Sequence, residues 1–125
     1  MMRTGTVRLA ERKLAGGSAP VYMYMLTWRS PIDRGRLGAA HGMCVPLTMD
    51  NVDSAPMAGD YPISRQVAAR MSEAWLSFAR HGDPNHGGLP QWDPYSVKAR
   101  ATMVFDEICT AVDDPFGDER RAWGI

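Results

Sequence analysis

Residues 20–28, PVYMYMLTW, carry no charged side chain and form the most apolar run of the chain. The run is too short for a core helix and does not alternate as a half-solvated strand would, so it predicts a strand buried on both faces, as in a parallel sheet. Ahead of it, TVRLAERKL (residues 6–14) sets Val7, Ala10 and Leu14 on one helical face, and Gly16 with Gly17 ends that helix. Helix, glycine turn and buried strand make the second half of a β-α-β unit, whose first strand belongs upstream. The expected class is α/β.

Length and charge narrow the remaining possibilities. A chain of 125 residues suits one domain, 1–125, with a single core. Fourteen basic residues balance fourteen acidic ones. With no net charge to steer toward a polyanion, neither nucleic acid nor an anionic membrane is an expected partner. No run reaches the length of a membrane span. The N-terminal stretch, MMRTGTVRLAERKLAGG, mixes charge through its apolar residues and does not read as a secretory signal, which favours the cytoplasm. Cys44 and Cys109 are too few for a disulfide framework and suit a reducing compartment.

Between residues 29 and 63 the breakers Pro31, Gly35, Gly38, Gly42, Pro46, Pro56, Gly59 and Pro62 predict a long loop with at most one short helical turn. Loops of that length are usually functional. Residues 64–80 then place Val67, Met71, Ala74, Trp75 and Phe78 on one stripe of an amphipathic helix, with Ser64 as cap and Gly82 and Pro84 as the stop. A turn-rich stretch, GDPNHGGLPQWDPY, leads to RATMVFD (residues 100–106), which reads as a short strand. The closing DDPFGDERRAW is charged and expected to be exposed.

Within the long loop, RLGAAHGMCVPL sets His41 among glycines and small residues. Imidazole titrates near neutral pH and can take a proton from a hydroxyl and return it to a leaving group. It needs a nucleophile. The strained turn G-x-S-x-G is approached only by GGSAP, in which Ser18 precedes a strand instead of following one, so Ser18 belongs to an ordinary turn. His81 and His86 flank Asp83 across Gly82 and Pro84, a spacing that shares no helical face, and no metal site is expected. Cys44 lies three residues from His41 and is expected to pack as a half-buried hydrophobe. Trp75, Phe78, Trp92 and Tyr95 are expected in the core. No cofactor motif is evident.

Three separated segments together resemble one family, the type-B carboxylesterases of the α/β-hydrolase fold, and within it the C-terminal part. PVYMYMLTWRSP is similar to the strand ahead of the family's catalytic histidine loop, LGAAHGMCVPLTMDNVD to that loop, and MSEAWLSFARHGDPN with LPQWDPY to the final helix and its tryptophan loop. The resemblance implies an incomplete C-terminal portion of an α/β-hydrolase fold: helix, buried strand, long histidine loop, amphipathic helix, short terminal strand. It also implies that His41 is the triad histidine of a Ser-Glu/Asp-His mechanism. The nucleophilic serine, the acid and the oxyanion hole lie upstream in the family. Cys44 departs from the pattern, standing where the family usually has an acidic residue. The expected function is that of a hydrolase fragment, inactive alone, acting on a small-molecule ester once completed by an N-terminal hydrolase half. The alternatives are a non-catalytic interaction module, with the apolar strand as a docking edge, and a self-sufficient esterase using Cys44.

Overall fold

The computed structural model describes residues 2–124. Three strands make one sheet in the order β1 (Met23–Leu26), β2 (Ala101–Phe105), β3 (Thr110–Asp113). β1 and β2 are parallel, with Met23 opposite Thr102 and Leu26 opposite Phe105. β2 and β3 are antiparallel, with Ala101 opposite Asp113 and Val104 opposite Thr110. The helices are α1 (Met2–Ala15), α2 (Cys44–Thr48), α3 (Pro62–His81) and α4 (Gly117–Ala122). This is a mixed α/β architecture, as the alternation of apolar run and helical stripe predicts.

Successive side chains of β1 point to opposite faces. Tyr22, Tyr24 and Leu26 pack against the core cluster of Trp28, Met43, Leu47, Val67, Met71, Trp92, Met103 and Phe105. Met23 and Met25 line a cavity of about 220 Å³ together with Val7 of α1. One face of β1 packs into the core while the other borders open grooves toward α1, and Met23–Leu26 are only half-buried, not fully buried as expected. The edge of the strand is open as well. β1 pairs on one side with β2, a strand that follows it in sequence, and among the described residues its other side pairs with nothing.

Several local expectations are corrected. Ser64 does not cap α3: Tyr61 is the N-cap and Pro62 occupies the first turn, where a missing N–H costs nothing. Ser64 is fully buried, and its hydroxyl donates to the Ala58 carbonyl at 3.0 Å. Phe78 ends the stripe in solvent, 46% exposed, whereas Trp92 and Tyr95 are buried. The loop of residues 29–63 holds more helix than expected. A left-handed turn at Ile32–Gly35, α2, and a 3-10 turn at Val52–Ser54 interrupt it. Beyond the expected terminal strand come β3, exposed along its whole length, and the short α4.

Two polar junctions fix the strand termini. Arg100 bonds both Glu11 of α1 and the Tyr95 hydroxyl, tying α1 to the start of β2. Asp114 accepts from Arg120 at 2.8 and 2.9 Å, anchoring α4 to the end of β3. The Arg120 hydrogen bonds hold the Asp114 carboxyl below the usual carboxylate range. The unfolded chain thus binds this proton more readily than the native one. Stability from this group is present above the ordinary carboxylate value and is lost as the pH falls through the lowered one. Asp114→Asn is expected to flatten the acid limb of the stability profile, measured as denaturation midpoints between pH 2 and 6, roughly the range over which a paired carboxylate titrates.

Candidate active site

His41 stands on the loop that leaves the carboxyl end of β1, the end of a parallel sheet where ligand sites collect. The loop is closed at its base by the Ser30 N–H donating to the Gly38 carbonyl at 3.2 Å, and Arg29 reaches the Gly35 carbonyl at 3.1 Å. Asp33 and Arg34 lie at positive φ, 49° and 57°, a left-handed geometry that non-glycine residues adopt at a cost. Gly38 and Gly42, at φ 65° and 84°, bracket His41 and let the chain reverse on either side of it. Immediately after, Met43 is fully buried and is the N-cap of α2, so a core anchor sits two residues from an exposed imidazole.

The His41 ring borders an open groove of about 260 Å³, lined also by Tyr24, Met25, Leu26, Ala40 and Cys44. Among the described residues no carboxylate or hydroxyl hydrogen-bonds the ring. Cys44 is half-buried and packs on the core cluster, as expected of a small hydrophobe. Burial, then the neighbouring Cys44 thiol, push the Tyr24 hydroxyl up to about 12. Tyr24 also stacks edge-on against Trp75 at 4.9 Å, so one side chain links α3 to the histidine groove.

The other sequence candidates lie elsewhere. Ser18 is an exposed bend residue. His81 ends α3 in solvent. His86 is held by backbone: its Nδ1 accepts from the Gly88 N–H at 3.1 Å, which leaves Nε2 to donate to the Arg70 carbonyl at 3.1 Å. Among the described residues no three His, Cys, Asp or Glu side chains converge as a metal site would require.

Two positioning residues escape sequence reasoning. Thr27 donates to Asp106 at 2.5 Å, joining the carboxyl ends of β1 and β2 just where the histidine loop begins. Asn85 joins the turn after α3 to Trp92. Its Nδ2 donates to the Trp92 carbonyl at 2.9 Å and to Asp83 at 2.7 Å, and its Oδ1 accepts the Trp92 N–H at 2.7 Å. Asn in a turn-rich stretch signals only a turn; these partners appear on folding. Asn85→Ala removes three hydrogen bonds and orphans a partly buried N–H, an expected loss of about 2–3 kcal/mol by urea denaturation.

The family model for the carboxylesterase family matches residues 1–120. The chain belongs to the carboxylesterase family. Among carboxylesterase relatives, the phenmedipham hydrolase of Pseudarthrobacter oxydans is 33% identical over 90 residues, 68% of this chain and 18% of that protein. The para-nitrobenzyl esterase of Bacillus subtilis is 27% identical over 109 residues, 82% of this chain and 21% of that protein. The solved carboxylesterase Est55 of Geobacillus stearothermophilus superposes with a TM-score of 0.79 at 38% identity, over 95% of this chain and 25% of Est55. The chain therefore carries part of an α/β-hydrolase fold and spans about a fifth of the length of the relatives it matches.

Proposed function

We propose that this chain supplies the acid-base histidine, His41, of a carboxylesterase that hydrolyses small-molecule carboxylic esters. The observation that carries the reading is the position of His41: exposed, on a glycine-bracketed turn past the carboxyl end of a parallel strand, beside an open groove. Family membership supplies the reaction class.

A serine from the remainder of such an enzyme attacks the ester carbonyl while His41 takes the hydroxyl proton. The tetrahedral intermediate collapses as His41 returns that proton to the departing alcohol oxygen. Water, deprotonated by the same ring, then attacks the acyl-serine, and the carboxylic acid leaves as the serine recovers its proton. A carboxylate bonded to the opposite ring nitrogen holds the tautomer. The sequence contains no G-x-S-x-G turn, so the chain by itself has the base and not the nucleophile.

The isolated chain is therefore expected to hydrolyse p-nitrophenyl acetate no faster than the same concentration of free imidazole, and Cys44→Ala is expected to change nothing. Stopped-flow or steady-state absorbance measures both. Enzyme-like turnover that survives His41→Ala would remove the proposal, and turnover lost with Cys44 alone would replace it with a thiol mechanism.

A further inference from the structure

Uncompensated negative charge gathers at an aromatic groove. The groove, about 190 Å³, lies between β1 and α3 and is walled by Tyr22, Tyr24, Trp75, Phe78 and Trp92. Phe78 and Trp92 meet Tyr22 at ring separations of 6.0 and 5.7 Å and interplanar angles of 77° and 81°. Trp75 meets Tyr24 at 4.9 Å and 83°. Rings set at right angles leave corners of π face and ring edge where a stacked cluster would close on itself. Trp92 is buried, Tyr22 and Trp75 are half-buried and Phe78 is exposed, so the groove has a dry floor and an open rim. A cavity of about 150 Å³ already takes a benzene ring, and the space here suits one small organic group.

The charge at the rim decides which kind. Pro84, which also lines the groove, follows Asp83, and Trp92 precedes Asp93. Burial, then the charges of Asp83 and Asp93, push the Tyr22 hydroxyl above its ordinary value, so both carboxylates act on the groove. The backbone and side-chain amides of Asn85, with His81 beyond them, hold the Asp83 carboxyl below the usual carboxylate range and keep it ionised. Arg80 and His81 occupy the last turn of α3, yet among the described residues neither Asp83 nor Asp93 is ion-paired. The carboxyl end of α3, capped at Gly82 just before Asp83, adds the partial negative charge of the helix dipole. Ring faces, carboxylates and helix end thus share one sign.

We propose that this groove binds a small organic cation, an alkylated ammonium group held against the π faces of Tyr22, Phe78 and Trp92 with Asp83 and Asp93 as its counter-charges. A metal ion would have to shed water that no converging set of side-chain ligands replaces among the described residues. A primary ammonium carries three donors that aromatic walls leave unsatisfied. Alkylation removes those donors and buries methyl groups on the rings while the charge is kept. Tyr24 also lines the His41 groove, so one side chain borders both spaces. The cation site stands independently of the role given to His41.

The test titrates the full chain with tetramethylammonium chloride at constant ionic strength and follows the indole N–H resonances of its four tryptophans. Trp75 and Trp92 are expected to shift along one saturating curve, while Trp28 and Trp123, which do not line the groove, stay in place. tert-Butanol, similar in shape and uncharged, is expected to bind roughly tenfold or more weakly, a comparison that needs no variant. Phe78→Leu keeps an apolar side chain at an exposed position and removes a π face; Asp93→Asn removes one charge from an exposed position. Each is expected to weaken binding about threefold or more, with an unchanged circular dichroism spectrum. Shifts that never saturate, equal affinity for tert-butanol, equal shifts at Trp28 or Trp123, or unchanged affinity in either variant each overturn the cation site.

Discussion

His41→Ala is expected to lower ester turnover on the order of a millionfold in any assembly that pairs this chain with a nucleophilic serine. The size of the effect comes from the way a triad works as a unit. Without the imidazole the serine hydroxyl keeps its proton at neutral pH, and the alcohol must leave as an alkoxide. General acid-base assistance on its own is worth about a hundred to ten thousandfold. The larger figure applies because nucleophile and base fail together. The substitution is structurally quiet, since His41 is exposed and makes no hydrogen bond among the described residues. Loss of kcat with an unchanged thermal midpoint is thus the expected signature. A drop of tenfold or less would place the base elsewhere.

Phe105→Ala is expected to cost about 3–5 kcal/mol, against a total stability of about 5–15 kcal/mol for a domain of ordinary robustness. Phe105 is fully buried in β2 and meets Tyr24, Trp75 and Trp92 at ring separations of 6.1, 6.3 and 5.9 Å. Its carbonyl also receives the N–H groups of Thr27 and Trp28, so the residue holds β1 to β2 through both side chain and backbone. A cavity there loosens the joint between the sheet, α3 and the tryptophan loop. With one side of β1 unpaired among the described residues, the variant is expected to be largely unfolded at 37 °C. Denaturant midpoints and near-ultraviolet circular dichroism measure the loss. A variant within 1 kcal/mol of the parent, roughly the cost of an ordinary surface change, would show that the core closes without this ring.

What was legible in the sequence followed from periodicity. The stripe Val67, Met71, Ala74 of α3 is buried, and its stop at Gly82, φ 72°, takes the left-handed cap that glycine allows. The strand over residues 101–105 was legible from Thr, Val and Phe, since β-branched and aromatic side chains suit a pleated surface. α2 was hidden by Pro46. A five-residue helix consists almost entirely of ends, where the donor that proline lacks would be unpaired anyway. β3 was hidden because all four of its residues are exposed, so it carries no alternation. Its ladder with β2, set by register alone, makes it a strand.

The family was legible for a different reason: the order of three segments is a property of the written chain, and it resembles the family whose model matches residues 1–120. The surroundings of His41 were not legible. That Cys44 neighbours the Tyr24 hydroxyl, that Thr27 bonds Asp106, and that Asn85 binds Trp92 each depend on residues brought together by folding.

By itself, then, the sequence determined the helical stripe of α3, the presence of the two strands and the place of His41 between them along the chain, because apolar spacing and turn chemistry act over a few residues. Only the tertiary structure decided that β1 has its neighbour downstream and, among the described residues, an open side, that Ser64 is a buried donor and that Phe78 faces solvent. Those outcomes depend on which distant surfaces meet, and the free energy of a strand edge is set by what lies across from it.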